Sequence, residues 1–255
     1  TVPYYIEVVY RWDAAQSYSS LSEVQLVPVE FDAVQPMMAA LRDVWFKPYI
    51  QATGNSLDFL KEVAPKKIVL VGSPEYQNGS FKLGQAEGGR KILLLNVNNF
   101  DASDENELKE SLHTIVHEFT HILHQTKLFN QEYQTISTGR YNSNWTLLND
   151  SEAGHQGFIT NYAMLNKDED FAEMVSGILV FGYEWFKDTV LAEAAKSTEN
   201  PHAKADLEAK LAIVNSYFKE TWNIEFFDNE TSGEPGLESY FRMAIEEVVS
   251  NPPTK

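Results

Sequence analysis

The stretch "SLHTIVHEFTHILHQ", residues 111–125, gathers His113, His117, His121 and His124 around one glutamate, Glu118. Leu108, Leu112, Ile115, Val116, Phe119, Ile122 and Leu123 recur at the spacing of one helical face, which predicts an amphipathic helix with its apolar stripe turned to a core. At about 100° per residue, His117 and His121 fall on the opposite side, flanked by His113 and His124. The stripe already supplies the core contact, so a row of satisfied core histidines does not suit this pattern. The plain alternative is a solvated polar face that happens to collect imidazoles.

Chemistry favours a sharper reading. His117 and His121 are one turn apart, about 6 Å along the axis, so both imidazoles can reach one ion. "HEFTH" (117–121) is the H-E-x-x-H arrangement, in which the glutamate is not a ligand but sits where it can take a proton from water at the metal. Two histidines do not complete such a centre. A metzincin would continue with glycine seven and histidine ten residues after His117; this chain has His124 and Lys127 there, which excludes that class. His124 is a further turn along, and with His113 it reads as a group lining or supporting the site.

The best acidic partner lies in "NYAMLNKDEDFAEMVSG" (161–177). Asn166 or Asp168 can cap a helix whose first turn holds Glu169 and Asp170, with Glu173 one turn beyond Glu169 on the same side. Acids crowd helix N-termini because of the helix dipole, and this suffices for Asp168 to Asp170. It does not account for Glu173, which comes as the sequence turns apolar and where a carboxylate needs a partner. Glu169 and Glu173 both stand as third-ligand candidates.

Composition narrows the field. The 255 residues are 43% hydrophobic and 22% charged, values of a globular chain long enough for one large domain or two small ones. The net charge of −17 argues against nucleic acid, whose binders need a cationic footprint. The absence of cysteine excludes disulfides, thiolate ligands and a cysteine nucleophile, so any metal must be held by nitrogen and oxygen. No segment reaches the roughly 18 apolar residues that cross a bilayer. The start at Thr1 without methionine is expected of a trimmed or truncated product.

Around the histidine helix the chain reads as α+β. "YYIEVVYRW" (4–12) and "KKIVLVGS" (66–73) read as strands, and "AVQPMMAALRDVWFKPYI" (33–50) as a helix. "GSFKLGQAEGGRKILLLNVNNF" (79–100) reads as two strands joined at Gly88 and Gly89, with "KILLLNVNNF" (91–100) either a buried strand or a sheet edge along which an extended peptide could lie. Ser103 is the expected N-cap of the histidine helix. After residue 126 the chain is polar and irregular to about 151. Helical patterns then cover roughly 152–165, 168–186, 188–197, 202–220 and 236–250. The segment "PHAKADLEAKLAIVNSYFKETW" (201–222) reads as an amphipathic packing helix, and His155 and His202 have no assignable partners. The expected layout is a small mixed sheet with helices in 1–130, the histidine helix at the junction, and a helical subdomain in 131–255 that carries the third ligand, the two making one catalytic unit.

"HEFTH" followed some fifty residues later by "EDFAE" (169–173) resembles the gluzincin metallopeptidases, and the E-x-F-A-E form is similar to the group with anthrax lethal factor and the Pro-Pro endopeptidases. The fuller set "HEFTHILHQ", "GFITNYA" and "EDFAEM" resembles a narrower family, zinc metallopeptidase lipoproteins encoded beside TonB-dependent nutrient-import systems of Gram-negative bacteria. These motifs cover residues 113 to 177. The resemblance implies a zincin-like fold with zinc on His117, His121 and Glu169, and Glu118 as general base. It also implies Glu173 supporting the ligand glutamate and Tyr162, seven residues before Glu169, facing the scissile carbonyl. The implied activity is peptide-bond hydrolysis on a peptide or protein substrate. The implied setting is export to the cell surface or periplasm as an outer-membrane lipoprotein, with import components as partners and membrane contact only through a lipid anchor outside this chain. No lipobox cysteine stands in the sequence, which departs from that family's pattern. The competing reading is a surface accessory or binding component of an import system, in which zinc is structural or inactive and tryptophans such as Trp45 and Trp145 serve docking. An intact Glu118 and only three good ligands argue against it, since a structural zinc is normally closed by four.

Overall fold

Short runs of β-branched and aliphatic residues near the N-terminus pair in parallel. The computed structural model describes residues 4–11, 26–77, 80–82, 84–87 and 91–253. Among these, the strands are β1 (Glu7–Val9), β2 (Lys67–Leu70), β3 (Glu75–Gln77), β4 (Ser80–Lys82), β5 (Gly84–Glu87) and β6 (Lys91–Leu94). The main sheet has the order β1-β2-β6-β5, with β1, β2 and β6 parallel and β5 antiparallel to β6; β3 and β4 form a separate antiparallel pair. Ile68, Leu70, Ile92 and Leu93 are fully buried, as befits parallel strands covered on both faces.

One expectation fails here. The run 91–100 is not a sheet edge: β6 lies between β2 and β5 and is hydrogen-bonded to both, so its backbone has no free side to offer an incoming strand. The turn at Gly88 and Gly89 lies outside the described residues.

The chain forms two compact units, Thr1–Ile122 with Met243–Lys255, and Leu123–Arg242. In the first, α1 (Phe31–Leu41) runs through a π-helical stretch (Arg42–Phe46) into α2 (Lys47–Ala52), followed by α3 (Asp58–Val63) and the long α4 (Glu105–Thr126). All seven residues of the predicted apolar stripe on α4 are buried. Phe119 is the anchor. Its ring meets Trp45 and Tyr49 edge-on at 5.3 and 5.2 Å, with Phe59 at 6.3 Å. Such pairs add about 0.5–1.5 kcal/mol each beyond area burial. The boundary between the units falls inside α4, which continues unbroken past Ile122 to Thr126.

The second unit is helical. It contains α5 (Glu132–Ile136), α6 (Asp150–His155), α7 (Lys167–Phe181), α8 (Tyr183–Trp185) continuing through Phe186–Leu191 into α9 (Ala192–Ala194), and α10 (Ala203–Ser216) continuing through Tyr217–Thr221; α11 (Leu237–Ser250) begins here and passes into the first unit at Met243. Phe129 stacks on Phe171 at 4.2 Å with the rings 6° from parallel, and Tyr133 and Tyr217 meet Phe171 edge-on. The architecture is α+β, as the patterning indicates.

Two expected helices are shorter than their periodicity. The one over 152–165 stops at His155, because Gly157 adopts φ +84° and closes a Schellman motif through Phe158 N–H to Ala153 O and Gly157 N–H to Gly154 O. A Cβ at Gly157 would also sit 3.2 Å from Asp206 Cβ. The one over 168–186 breaks at Gly182, φ +92°.

Candidate metal centre

Local chemistry aims both helices. The N-cap of α4 is Asp104, not the expected Ser103: the Asp104 carboxylate accepts from the backbone N–H groups of Asn106 and Glu107 at 2.9 and 3.2 Å. Ser103 instead donates to Asp101. On α7 the cap is Asn166, whose side-chain oxygen accepts from the N–H groups of Asp168 and Glu169 at 2.8 and 3.1 Å. Glu169 therefore leaves from a turn whose backbone is fixed.

On α4 the His117 and His121 rings stand nearly perpendicular, 80° apart, with their Nε2 atoms 3.1 Å from each other. Glu169 joins them: one ligand atom from each of His117, His121 and Glu169 lies within 4.8 Å of the others, His117 buried and the other two half-buried. Two imidazole nitrogens at zinc–nitrogen distances of about 2.0–2.1 Å, held at a tetrahedral angle, lie about 3.3 Å apart. The observed 3.1 Å suits that arrangement. The donor set of two nitrogens and a carboxylate also suits a borderline divalent cation.

A family model described as "Putative zinc-binding metallo-peptidase" matches residues 1–227. The chain belongs to this family. A crystal structure described as that of a putative zinc-binding metallo-peptidase from Bacteroides caccae is 30% identical, with a TM-score of 0.75, covering 98% of this chain and 88% of that one. No curated protein matches.

The other expected residues of this metallo-peptidase family member take distinct places. Glu118 is half-buried on α4. Glu173, 4% exposed, is outside the ligand group and accepts a hydrogen bond from Thr160 Oγ1 at 2.7 Å, the partner its apolar setting requires. Tyr162 opens a 3₁₀ turn (Tyr162–Met164), half-buried, its ring 4.8 Å from that of Trp145. His113 is half-buried, its ring 6.4 Å from that of His117. His124 packs edge-on against Phe129 and Phe171, among the aromatic rings of the second unit. His155, for which the sequence suggests no partner, has its Nε2 3.1 Å from Glu193 Oε1.

Sequence reasoning missed a buried polar network on Asp170, the residue next to Glu169. The helix dipole does not suffice for Asp170, which is wholly buried. Its Oδ2 meets Lys210 Nζ at 2.7 Å and accepts from Tyr141 OH at 3.1 Å, while Tyr133 OH faces its backbone oxygen at 3.0 Å and its Oδ1 at 3.3 Å. Lys210, equally buried, also donates to Gly157 O at 2.8 Å and lies 4.1 Å over the Phe158 ring. Burial pushes the Asp170 carboxyl up and the Lys210 ammonium down, and each charge opposes the shift of the other. Burial, then Asp170, raises Tyr133 and Tyr141, so both hydroxyls stay protonated donors. The signal was present: Lys210 interrupts the apolar stripe of Leu207, Leu211 and Val214 on the segment read as mere packing.

Proposed function

We propose that the chain is a zinc-dependent metallopeptidase, with His117, His121 and Glu169 as the zinc ligands. The observation that supports this best is the convergence of those three ligand atoms in a chain of a zinc-binding metallo-peptidase family. Zinc bound there supplies Lewis acidity, lowering the pKa of water towards about 7 and polarising a carbonyl. Glu118 takes the proton of the attacking water and passes it to the leaving amine. The Tyr162 hydroxyl donates a hydrogen bond to the oxyanion, and Trp145 limits where that ring can lie. Thr160 fixes the Glu173 carboxylate, which steadies the second turn of α7 behind Glu169.

Glu118→Gln is expected to retain zinc and to lower peptide cleavage by about 10²–10⁴-fold, the usual contribution of a positioned base. A broad peptide-library digest with and without a chelator finds the responsive substrate. A variant that cleaves as fast as the parent would refute the role of Glu118, and a parent with no chelator-sensitive cleavage would favour an accessory, non-enzymatic role. No helix among the described residues is long and apolar enough to cross a membrane. Export as an outer-membrane lipoprotein acting beside nutrient-import components is a proposal resting on the motif resemblance, and radiolabelled palmitate incorporation in the native cell tests it.

A further inference from the structure

We propose that Lys210 is a positioning residue for the metal centre, its buried ammonium tying the turn that carries Glu169 to the segment that carries Tyr162. The inference rests on the zinc reading above. Three of its observations are independent of one another. The ammonium grips the residue next to Glu169 through Asp170 Oδ2 at 2.7 Å. It grips the start of the 157–165 segment through Gly157 O at 2.8 Å. Tyr133 OH faces the other two oxygens of Asp170, its backbone O and Oδ1, and Tyr141 OH donates to the same Oδ2 as the ammonium, so the first turn of α7 is fastened through its backbone and its side chain together.

Chemistry says why a cation is needed at this point. A carboxylate and an ammonium that are both wholly buried persist only when every charge is matched and hydrogen-bonded. A leucine or methionine would fill the same volume, so the pair is not needed for packing. What it adds is direction: one ammonium fixes two backbone segments relative to each other. Metal ligands need that precision, since donors must lie within about 0.2 Å of their ideal distances. Thr160, whose hydroxyl is 2.7 Å from Glu173 Oε2, fastens the middle of the same segment to α7. Lys210 thus sets the start of the segment and Thr160 its course.

The test is a zinc dissociation constant, measured by competition with a chromophoric chelator, for the parent and three variants, each with its thermal midpoint. Lys210→Met and the charge-neutral double variant Asp170→Asn with Lys210→Met are expected to bind zinc about 10–100-fold more weakly, the usual effect of losing a group behind a ligand. The double variant leaves no buried unpaired charge, so it reports even where the single variant fails to fold. Leu207→Ala, one turn away on α10 and buried, is expected to lower the midpoint while changing zinc affinity by no more than about twofold. A folded double variant with the parent's zinc affinity would overturn the proposal. So would an equal weakening in Leu207→Ala, which would make the loss a general effect of destabilisation. A parent that takes up no zinc would overturn the metal reading itself and the proposal with it, a result distinguishable from either of the others.

Discussion

The two helices that supply the metal candidates are held by opposite chemistry. Around His117 and His121, α4 is fixed by an apolar stripe, with Phe119 set among Trp45, Tyr49 and Phe59. At Glu169, the first turn of α7 is fixed by a side-chain cap and a buried charge network on Asp170. The apolar anchor is strong and forgiving of direction, because the hydrophobic effect has no preferred angle. The polar anchor is worth little net stability but specifies geometry, because hydrogen bonds weaken steeply off axis. A helix with two ligands one turn apart needs only its rotation set; a lone carboxylate from another segment needs its distance set as well.

That contrast can be broken by substitution. Phe119→Ala removes a large buried ring and is expected to cost about 3–5 kcal/mol in urea unfolding. Lys210→Met leaves Asp170 buried without its counter-charge and is expected to cost a similar 3–5 kcal/mol. The two then part. Adding Asp170→Asn to Lys210→Met recovers most of that loss, because no buried charge remains. Recovery of less than half would mean that the pair stabilises the fold outright.

The caps sharpen the same contrast at smaller scale. Asn166→Ala and Asp104→Ala each remove an N-cap and are expected to cost about 1 kcal/mol. Only Asn166→Ala should also weaken zinc binding, since Asn166 holds the N–H of Glu169 at 3.1 Å. Asp104 lies about three and a half turns before His117 on α4. Equal zinc affinity in both variants would show that the capped turn does not position the carboxylate.

The same division explains what the sequence made legible. The stripe on α4, the buried runs of β2 and β6 and the H-E-x-x-H spacing are local and periodic, so they can be read without coordinates. The cap of α7 at Asn166 was among the two residues the sequence offered. The network on Asp170 joins residues 133, 141, 157 and 210, which no periodicity connects. Its only trace was a lysine at a core position of α10. Whether β6 is an edge or a central strand depends on which strands pair with it, a non-local fact, and the edge reading failed for that reason. The helix over 152–165 failed differently. Gly154 and Gly157 stood in plain view, but only the left-handed φ of Gly157 shows where the chain turns.

Crystals of the zinc-loaded protein, measured on both sides of the zinc absorption edge, address the ligand set most directly. The expected anomalous peak lies about 2.0–2.2 Å from an imidazole nitrogen of His117, from one of His121 and from a carboxylate oxygen of Glu169. A peak held by other residues, or none at full zinc loading, would contradict it.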